Sequence, residues 1–355
     1  MRLLVVNTGS SSLKLRVLDH DDATLAERSL EWAKGSTFPA DALEGLPAVD
    51  AVAHRVVHGG EEFRDAVWLD GDARARLAEL TELAPLHQPR ALAAIDATEQ
   101  LRGGVPAAAC FDTAFHATLP PTAATYALPA EWPRRRFGFH GLSHAYAARR
   151  AAEMAGRPLD ALRVVTCHLG AGASLAAIHG GRSIDTTMGF TPLDGLVMAT
   201  RAGSVDPGLL LWLIERRGIA PAELSDALEH RSGLVALAGT ADMRDILARD
   251  DESSRLALGT YVHRLRASIA AMTAAMDGLD VLVFTGGVGE HAAAVRSEAA
   301  AGLAFLGIAL DAARNAHAHA DADIGASEAA VRAFVVTARE DLEIARQVRG
   351  LGRPA

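Results

Sequence analysis

The residues Asn7-Thr8-Gly9-Ser10-Ser11-Ser12 join two short β-rich runs, Leu3 to Val6 and Leu13 to Leu18, through a turn of small hydroxyl-bearing residues. Successive backbone N–H groups on such a turn form a concave array that suits phosphate oxygens, and Lys14 on the following run adds a point charge. Any Gly/Ser β-hairpin has the same pattern, so the turn alone does not decide. Composition sharpens it. Lysine occurs only at positions 14 and 34 among 35 basic residues, and asparagine only at 7 and 315. A chain that writes arginine almost everywhere has kept Asn7 and Lys14 beside this turn, and an ammonium is not interchangeable with a guanidinium.

Two further glycine clusters follow predicted strands. Gly170-Ala171-Gly172 lies after Val164 to His168, and Gly286-Gly287-Val288-Gly289-Glu290 lies after Val281 to Thr285 and opens a helix, where N–H groups attract anions. Neither is GxGxxG, since Leu175 stands where the third glycine belongs, and no GxxxxGK[ST] occurs, so the Rossmann and P-loop readings both fail. Gly141-Leu142-Ser143-His144-Ala145 breaks the GxSxG elbow at its last position, and Ser143 reads instead as a helix N-cap.

His140 in Phe137 to His144 and Arg201 in Ala199 to Gly208 stand in Gly-rich turns, while Arg55 in His54 to Gly60 and Asp112 in Phe111 to His116 stand at or near the ends of apolar runs. Such residues either line a crevice at strand termini or form structural ion pairs. Arg134-Arg135-Arg136 reads as a solvated face. Cys167 and His168 are adjacent on a strand and point to opposite faces, which excludes a nucleophile-base pair. No HExxH or Cys/His spacing suggests a transition-metal site, and His317 and His319 read as solvated.

The elements that position these groups alternate β-rich runs with amphipathic helices, the pattern of an α/β chain. Predicted strands also cover Val52 to Val57, Ala107 to Asp112, Ser174 to His179 and Ala333 to Thr337. Pro89 starts a helix closed by Gly103 and Gly104, Asp206-Pro207 caps one ending at Gly218, and a long one runs from Glu252 to Asp277 with Gly278 as its stop. Pro120 to Pro133 and Ala316 to Ala322 read as loops. The hairpins at Leu4 to Lys14 and Val164 to Leu175 share one layout, which points to a weak internal duplication: two similar domains with a ligand cleft between them. At 355 residues, two cores are expected. Half the residues are hydrophobic and 22% are charged, which excludes a disordered chain, and the net charge of −9 argues against nucleic acid and anionic membranes. Two cysteines build no disulfide framework, and no leader-like or membrane-spanning apolar run occurs, so a cytoplasmic protein is expected.

Taken together, the chain resembles the acetate kinase family, acyl-phosphate-forming kinases of the actin, sugar-kinase and heat-shock-ATPase fold. The resemblance covers nearly the whole chain. It rests on N-T-G-S-S-S-L-K at 7 to 14, H-R-V-V-H-G-G-E at 54 to 61, A-P-L-H-Q-P at 84 to 89 and F-D-T-A-F-H at 111 to 116. F-G-F-H-G-L-S-H at 137 to 144, the block from Cys167 to Pro207, F-T-G-G-V-G-E at 284 to 290 and E-D-L-E-I-A-R at 340 to 346 complete it. It implies an α/β fold of two similar ribonuclease-H-like domains of the actin-like ATPase type. The first, 1–145 with a returning helix over 341–355, would hold the acyl substrate, and 146–340 would bind nucleotide and form a homodimer.

The same resemblance implies roles residue by residue. Asn7 and Glu340 would be the residues on the side of Mg²⁺ (or Mn²⁺), and Lys14 a nucleotide-phosphate contact. Arg55 would grip the carboxylate, Asp112 would be the active-site acid, and His140 and Arg201 would stabilise the transition state. His168, Leu169, Gly170, Ala171 and Gly172, with Asp242, Met243 and Arg244 and with Gly287, Val288, Gly289, Glu290 and His291, would line the ATP/ADP site. Val57, Leu86, Phe139 and Pro192 would form the acyl pocket. A substrate carboxylate has no proton to give at pH 7, so Asp112 is expected to orient Arg55, a metal-bound water or the acyl group. Ala171, Ser204, Arg339, His291 and the stretch Ala236 to Gly239 depart from the family pattern, mostly on the nucleotide side. The expected reaction is reversible phosphorylation of acetate by ATP through direct in-line transfer, with Val57 favouring acetate. The rivals are a propionate or butyrate kinase of the same fold and a non-enzymatic actin- or chaperone-like ATP-binding module.

Overall fold

The computed structural model describes residues 1–9, 12–33 and 35–352; Ser10 and Ser11 of the expected phosphate turn lie outside the described residues. The chain divides into two units. One comprises Met1–Ala117, Phe139–Tyr146 and Arg339–Ala355, the other Thr118–Gly138 and Ala147–Ala338.

In the first unit β1 (Leu3–Thr8), β2 (Ser12–Leu18), β3 (Thr24–Glu31), β4 (Ala51–Val56), β5 (Val67–Trp68) and β6 (Ala107–Phe111) form one sheet in the order β3-β2-β1-β4-β6-β5. β1, β4 and β6 run parallel, while β2, β3 and the short edge strand β5 are antiparallel to their neighbours. Both faces are covered, which is why β1 reads as an unbroken Leu-Leu-Val-Val run. Leu3, Val5, Ala51, Ala53, Ala108 and Cys110 meet Ile344, Ala345 and Val348 of the helix Glu340–Gly350. On the other face Leu4, Val6, Leu13, Leu15, Val17 and Val52 cluster with Trp32 and with Ala94 of the helix Gln88–Leu101.

The second unit repeats this plan. β7 (Arg163–Leu169), β8 (Ala173–His179), β9 (Arg182–Thr186), β10 (Val281–Thr285), β11 (Ala322–Asp323) and β12 (Arg332–Val335) are ordered β9-β8-β7-β10-β12-β11, again with three parallel strands, an antiparallel meander and a short antiparallel edge. The helix Glu252–Ala275 packs on β7, β8 and β9. The duplication inferred from the two hairpins therefore extends to two whole sheets of the same topology.

Several local expectations need correction. The helix Gly141–Ala155 starts two residues before Ser143, so Ser143 is a buried first-turn residue and not its N-cap. Arg136 is no solvated face: its Nη1 donates to the carbonyls of Thr186, Thr187 and Met188 and to Asp194. Pro120 to Pro133 contains a helical turn, Pro121–Ala124. The His/Ala loop is narrower than expected, because Ala316 ends the helix Ala312–Ala316 and Ala322 begins β11. The long helix stops at Ala275 because Asp277 and Gly278 take φ of +55° and +136°. β3 and β9 had no apolar signal; β3 is mostly exposed or half-buried along its length. Residues 118–138 group with the second unit because Thr118 Oγ1 donates to Ser183 O at 2.8 Å and Phe137 N to Gly189 O at 3.1 Å. Among the described residues, no helix is long and apolar enough to cross a membrane.

Besides His144, three further histidines of the first unit are buried: His54, whose Nε2 lies 3.1 Å from Thr98 Oγ1, His58 and His116. Burial pushes their imidazoles down to about 3, about 4 and about 4. Each is then neutral when folded and protonated when unfolded below about pH 6.5. The stability they contribute is complete above that value and is lost as pH falls toward 4, at about 1.4 kcal/mol per pH unit per histidine. Denaturant titrations between about pH 7.5 and pH 5 should give an uptake approaching three protons on unfolding near the acid end. An uptake below about one would contradict the buried neutral assignment.

Candidate active site

Parallel strands finish together, and the carboxyl edge of such a sheet is where open α/β folds hold ligands. Asn7 stands near the end of β1, Arg55 near the end of β4 and Asp112 directly after β6, while Glu340 opens the helix covering the same face. Arg55 Nε donates to both oxygens of Asp112 at 3.1 and 3.2 Å, and Nη2 donates to Oδ2 at 2.5 Å. Arg55 Nη1 donates to Asn7 Oδ1 at 3.1 Å, and Asn7 Nδ2 donates to Glu340 Oε2 at 2.8 Å. The four side chains thus form one chain of contacts.

Charge explains the arrangement. Asp112 is 1% exposed and Arg55 14%, so neither ion is well hydrated and each needs the other. Burial works against the Arg55 charge, but Asp112 and Glu340 more than offset it and hold the guanidinium firmly protonated. Burial also pushes the Asp112 carboxyl above the usual carboxylate range, although Arg55 pulls the other way. The guanidinium carries further N–H donors on both terminal nitrogens, a fork matched to a second carboxylate. Two carboxylates against one guanidinium leave an excess of negative charge that a divalent cation would offset. Among the described residues no group of three or more His, Cys, Asp or Glu side chains could cage a metal. The oxygens of Glu340 and Asn7 instead fit an ion such as Mg²⁺ that keeps much of its water.

Lys14 lies directly opposite Asn7 in the antiparallel register of β1 and β2, and its side chain is exposed. Val57 and Phe139 are buried, and the Phe139 ring meets His58 edge-on with centroids 5.6 Å apart. Leu86 is half-buried in the turn before the helix Gln88–Leu101. His140 is half-buried immediately before Gly141.

In the second unit the ends of β7 and β10 adjoin, with Thr285 beside His168 in parallel register. This brings His168, Leu169 and the turn Gly170-Ala171-Gly172 next to the short helix Gly286–His291, with Ala171 exposed at the turn. Gly286 has φ +78°, and a Cβ there would lie 2.8 Å from Leu169 O, so only glycine permits this approach. Glu290 Oε1 accepts from Gly286 N and Ala338 N, both at 3.0 Å, which closes the loop on itself. Gly287 and His291 are exposed, while Gly289 is buried and Val288 half-buried. Asp242 caps the helix Met243–Ala248, accepting from Arg244 N at 2.9 Å and pairing with the exposed Arg244 guanidinium, and Met243 is buried. Arg201 Nε donates to Glu229 Oε2 at 3.0 Å. Pro192 lies on a loop where Phe190 N donates to Tyr126 Oη at 2.9 Å.

Two supporting groups escaped sequence reasoning. Glu229 sits 28 positions from Arg201, and no local pattern announces it. Arg296 is 1% exposed and donates to the carbonyls of Gly289 and Glu290, both at 2.8 Å, while Asn315 Oδ1 and O accept from its Nε and Nη2. Asn315 Nδ2 donates to Ala293 O and Ser297 Oγ, so one of the chain's two asparagines anchors the glycine-rich helix. Its scarcity was the available signal.

The Acetokinase family, compared by its sequence profile, matches residues 36–346. The chain belongs to that family. It is 47% identical to the acetate kinase of Microcystis aeruginosa, over 98% of each sequence. Among solved structures it resembles an acetate kinase of Porphyromonas gingivalis at 34% identity and TM-score 0.90, over 99% of this chain and 100% of that one. A propionate kinase of Francisella tularensis gives 33% identity and TM-score 0.89, over 98% of both. As an acetokinase-family member the chain is a phosphotransferase, in a family that uses ATP and ADP as co-substrates, rather than a non-enzymatic nucleotide switch.

Replacing Asp112 by Asn keeps the shape but removes the charge that holds Arg55. In steady-state kinetics Asp112→Asn should lower kcat/KM by about 100-fold, the cost of leaving a buried guanidinium without its counter-ion. Turnover within about threefold of the parent would show that Arg55 needs no such partner.

Proposed function

We propose that the chain transfers the γ-phosphoryl group of ATP reversibly to the carboxylate of acetate, giving acetyl phosphate and ADP. The observation that carries this reading is the Arg55 guanidinium, locked by Asp112 at the sheet's carboxyl edge with donors to spare on its terminal nitrogens. A carboxylate oxygen attacks the γ-phosphorus, the new P–O bond forms as the bond to the β,γ-bridging oxygen breaks, and that electron pair leaves with ADP. The attacking carboxylate is already ionised, so no general base is needed. Asp112 then serves by orienting Arg55.

Because the transferring group carries its charge on equatorial oxygens, positioning and cationic stabilisation do most of the work. Arg201, fixed at Nε by Glu229, and His140 are assigned that role, with Lys14 on the nucleotide phosphates. Bound Mg²⁺ or Mn²⁺ would neutralise phosphate oxygens, with Asn7 and Glu340 as the residues that hold it. Direct in-line transfer requires no covalent phosphoryl carrier. His168 to Gly172, Asp242 to Arg244 and Gly287 to His291 are assigned to ATP, and Val57, Leu86, Phe139 and Pro192 to the acyl group.

The second unit is also proposed to form a homodimer. The helix Pro207–Arg217 is largely apolar yet has no buried residue, and Leu209, Leu211 and Trp212 are all exposed, an apolar face of the kind a partner subunit covers. The free, buried thiols of Cys110 and Cys167 support a cytoplasmic setting.

Acyl preference follows from pocket size, where one methylene is worth about 1–3 kcal/mol, or about 10- to 200-fold. A hydroxamate assay should therefore give the highest kcat/KM with acetate, with propionate lower by about tenfold and butyrate lower still. A higher value for butyrate than for acetate would defeat the assignment, and absence of acyl phosphate with all three acids would defeat the reaction.

A further inference from the structure

The segment that carries Asp112 continues into a 3-10 turn, Ala114–Thr118, and this turn reaches the residue next to His140. His116 is fully buried, and its Nε2 lies 3.0 Å from the carbonyl oxygen of Phe139. A carbonyl has no proton, so Nε2 must carry the hydrogen. Burial pushes the imidazole down to about 4, which leaves a neutral ring donating through Nε2. The ring is flanked edge-on by Phe115 and His144, with centroids 5.6 and 5.7 Å away.

His140 itself is strained. Its φ is +56°, in the left-handed region that costs a non-glycine residue on the order of 1–3 kcal/mol and persists only where the surroundings enforce it. The enforcement is visible. The peptide plane before the His140 Cα is held through the Phe139 carbonyl by His116. The plane after it is held by Gly141 N donating to Asp112 O at 2.9 Å. A Cβ at Gly141 would lie 2.2 Å from Asp112 O, so only glycine lets that second contact form. Thr113 Oγ1 accepts from Gly59 N at 2.9 Å and ties the same segment to the loop after β4.

We propose that His116 is a positioning residue: by donating to the Phe139 carbonyl it fixes the direction in which the His140 imidazole leaves the backbone. One five-residue segment then sets two side chains of the first unit, Arg55 through the Asp112 carboxylate and His140 through the Asp112 carbonyl and His116 Nε2. The inference rests on the role assigned to His140 under the proposed function.

The test compares His116→Leu, His116→Gln and His116→Asn with His140→Ala, measuring kcat, KM for acetate and ATP, and thermal midpoint. A glutamine amide nitrogen reaches about as far as Nε2, whereas that of asparagine reaches only as far as Nδ1. Misplacement of a reacting group by about 1 Å can cost about 100-fold, so His116→Leu should lose about 10- to 100-fold in kcat with KM values within about threefold. His116→Gln should recover kcat to within about threefold and His116→Asn should not. Should the leucine variant fail to fold, the Gln and Asn pair decides by itself. Equal kcat in those two, or losses that follow only the thermal midpoint, would overturn the inference. Unimpaired His116→Leu beside an impaired His140→Ala would overturn this inference alone. A parental kcat in His140→Ala would remove the role given to His140, and this inference with it.

Discussion

The first unit's site is organised around one buried ion pair. Arg55 and Asp112 lie at the carboxyl ends of neighbouring parallel strands, each too poorly hydrated to be stable without the other. Pairing fixes the guanidinium through Nε and Nη2, Asn7 steadies Nη1, and Glu340 completes the row through Asn7. Covering the sheet face with the helix Glu340–Gly350 is what places the carboxylate of Glu340 there. A second contact set surrounds that helix start: Asp341 accepts from Arg16 at 2.9 Å and from Arg339, so the backbone carrying Glu340 is tied down on both sides. A guanidinium pinned along one edge is a cation that is rigid, charged at all working pH values and still able to donate.

The second unit uses the same topology for a different surface. Where the first sheet ends in charged side chains, β7 and β10 lead into glycine-rich turns, Gly170-Ala171-Gly172 and Gly286-Gly287, with Gly286 admitting Leu169 O at close range. The polar side chains there face inward. Glu290 bridges two backbone N–H groups, and Arg296, buried without a carboxylate in contact, is satisfied by carbonyls and by Asn315. An uncompensated buried cation is costly, so its four hydrogen bonds mark a position where rigid backbone matters. Arg136, with three carbonyls and Asp194, does the same for the turn leading to Pro192.

Much of this was legible in the sequence, and the remainder was hidden for definable reasons. The strands read from the sequence, β1, β2, β4, β6, β7, β8, β10 and β12, bury most of their residues, and burial demands apolar side chains. β3 is exposed along most of its length and left no such trace. The rarity of asparagine drew attention to Asn7 but was not followed to Asn315, and the partners of the two, Glu340 and Arg296, lie 333 and 19 positions away. Glu229 against Arg201 and His116 against the Phe139 carbonyl were likewise products of folding rather than spacing. Arg136 shows the opposite error: a run of three arginines has the composition of a surface, yet this one is drawn in to donate to the carbonyls of Thr186, Thr187 and Met188.

The central claim is that Arg55 receives the carboxylate and has no part in holding nucleotide. Substituting Arg55→Leu and comparing acetate kinetics with direct calorimetric binding of ADP separates the two. The account predicts that kcat/KM for acetate falls by at least about 1,000-fold while ADP affinity stays within about threefold of the parent, as expected when a charge-assisted fork to substrate is removed. Near-parental use of acetate, or a loss of ADP binding that parallels the loss of activity, would contradict it.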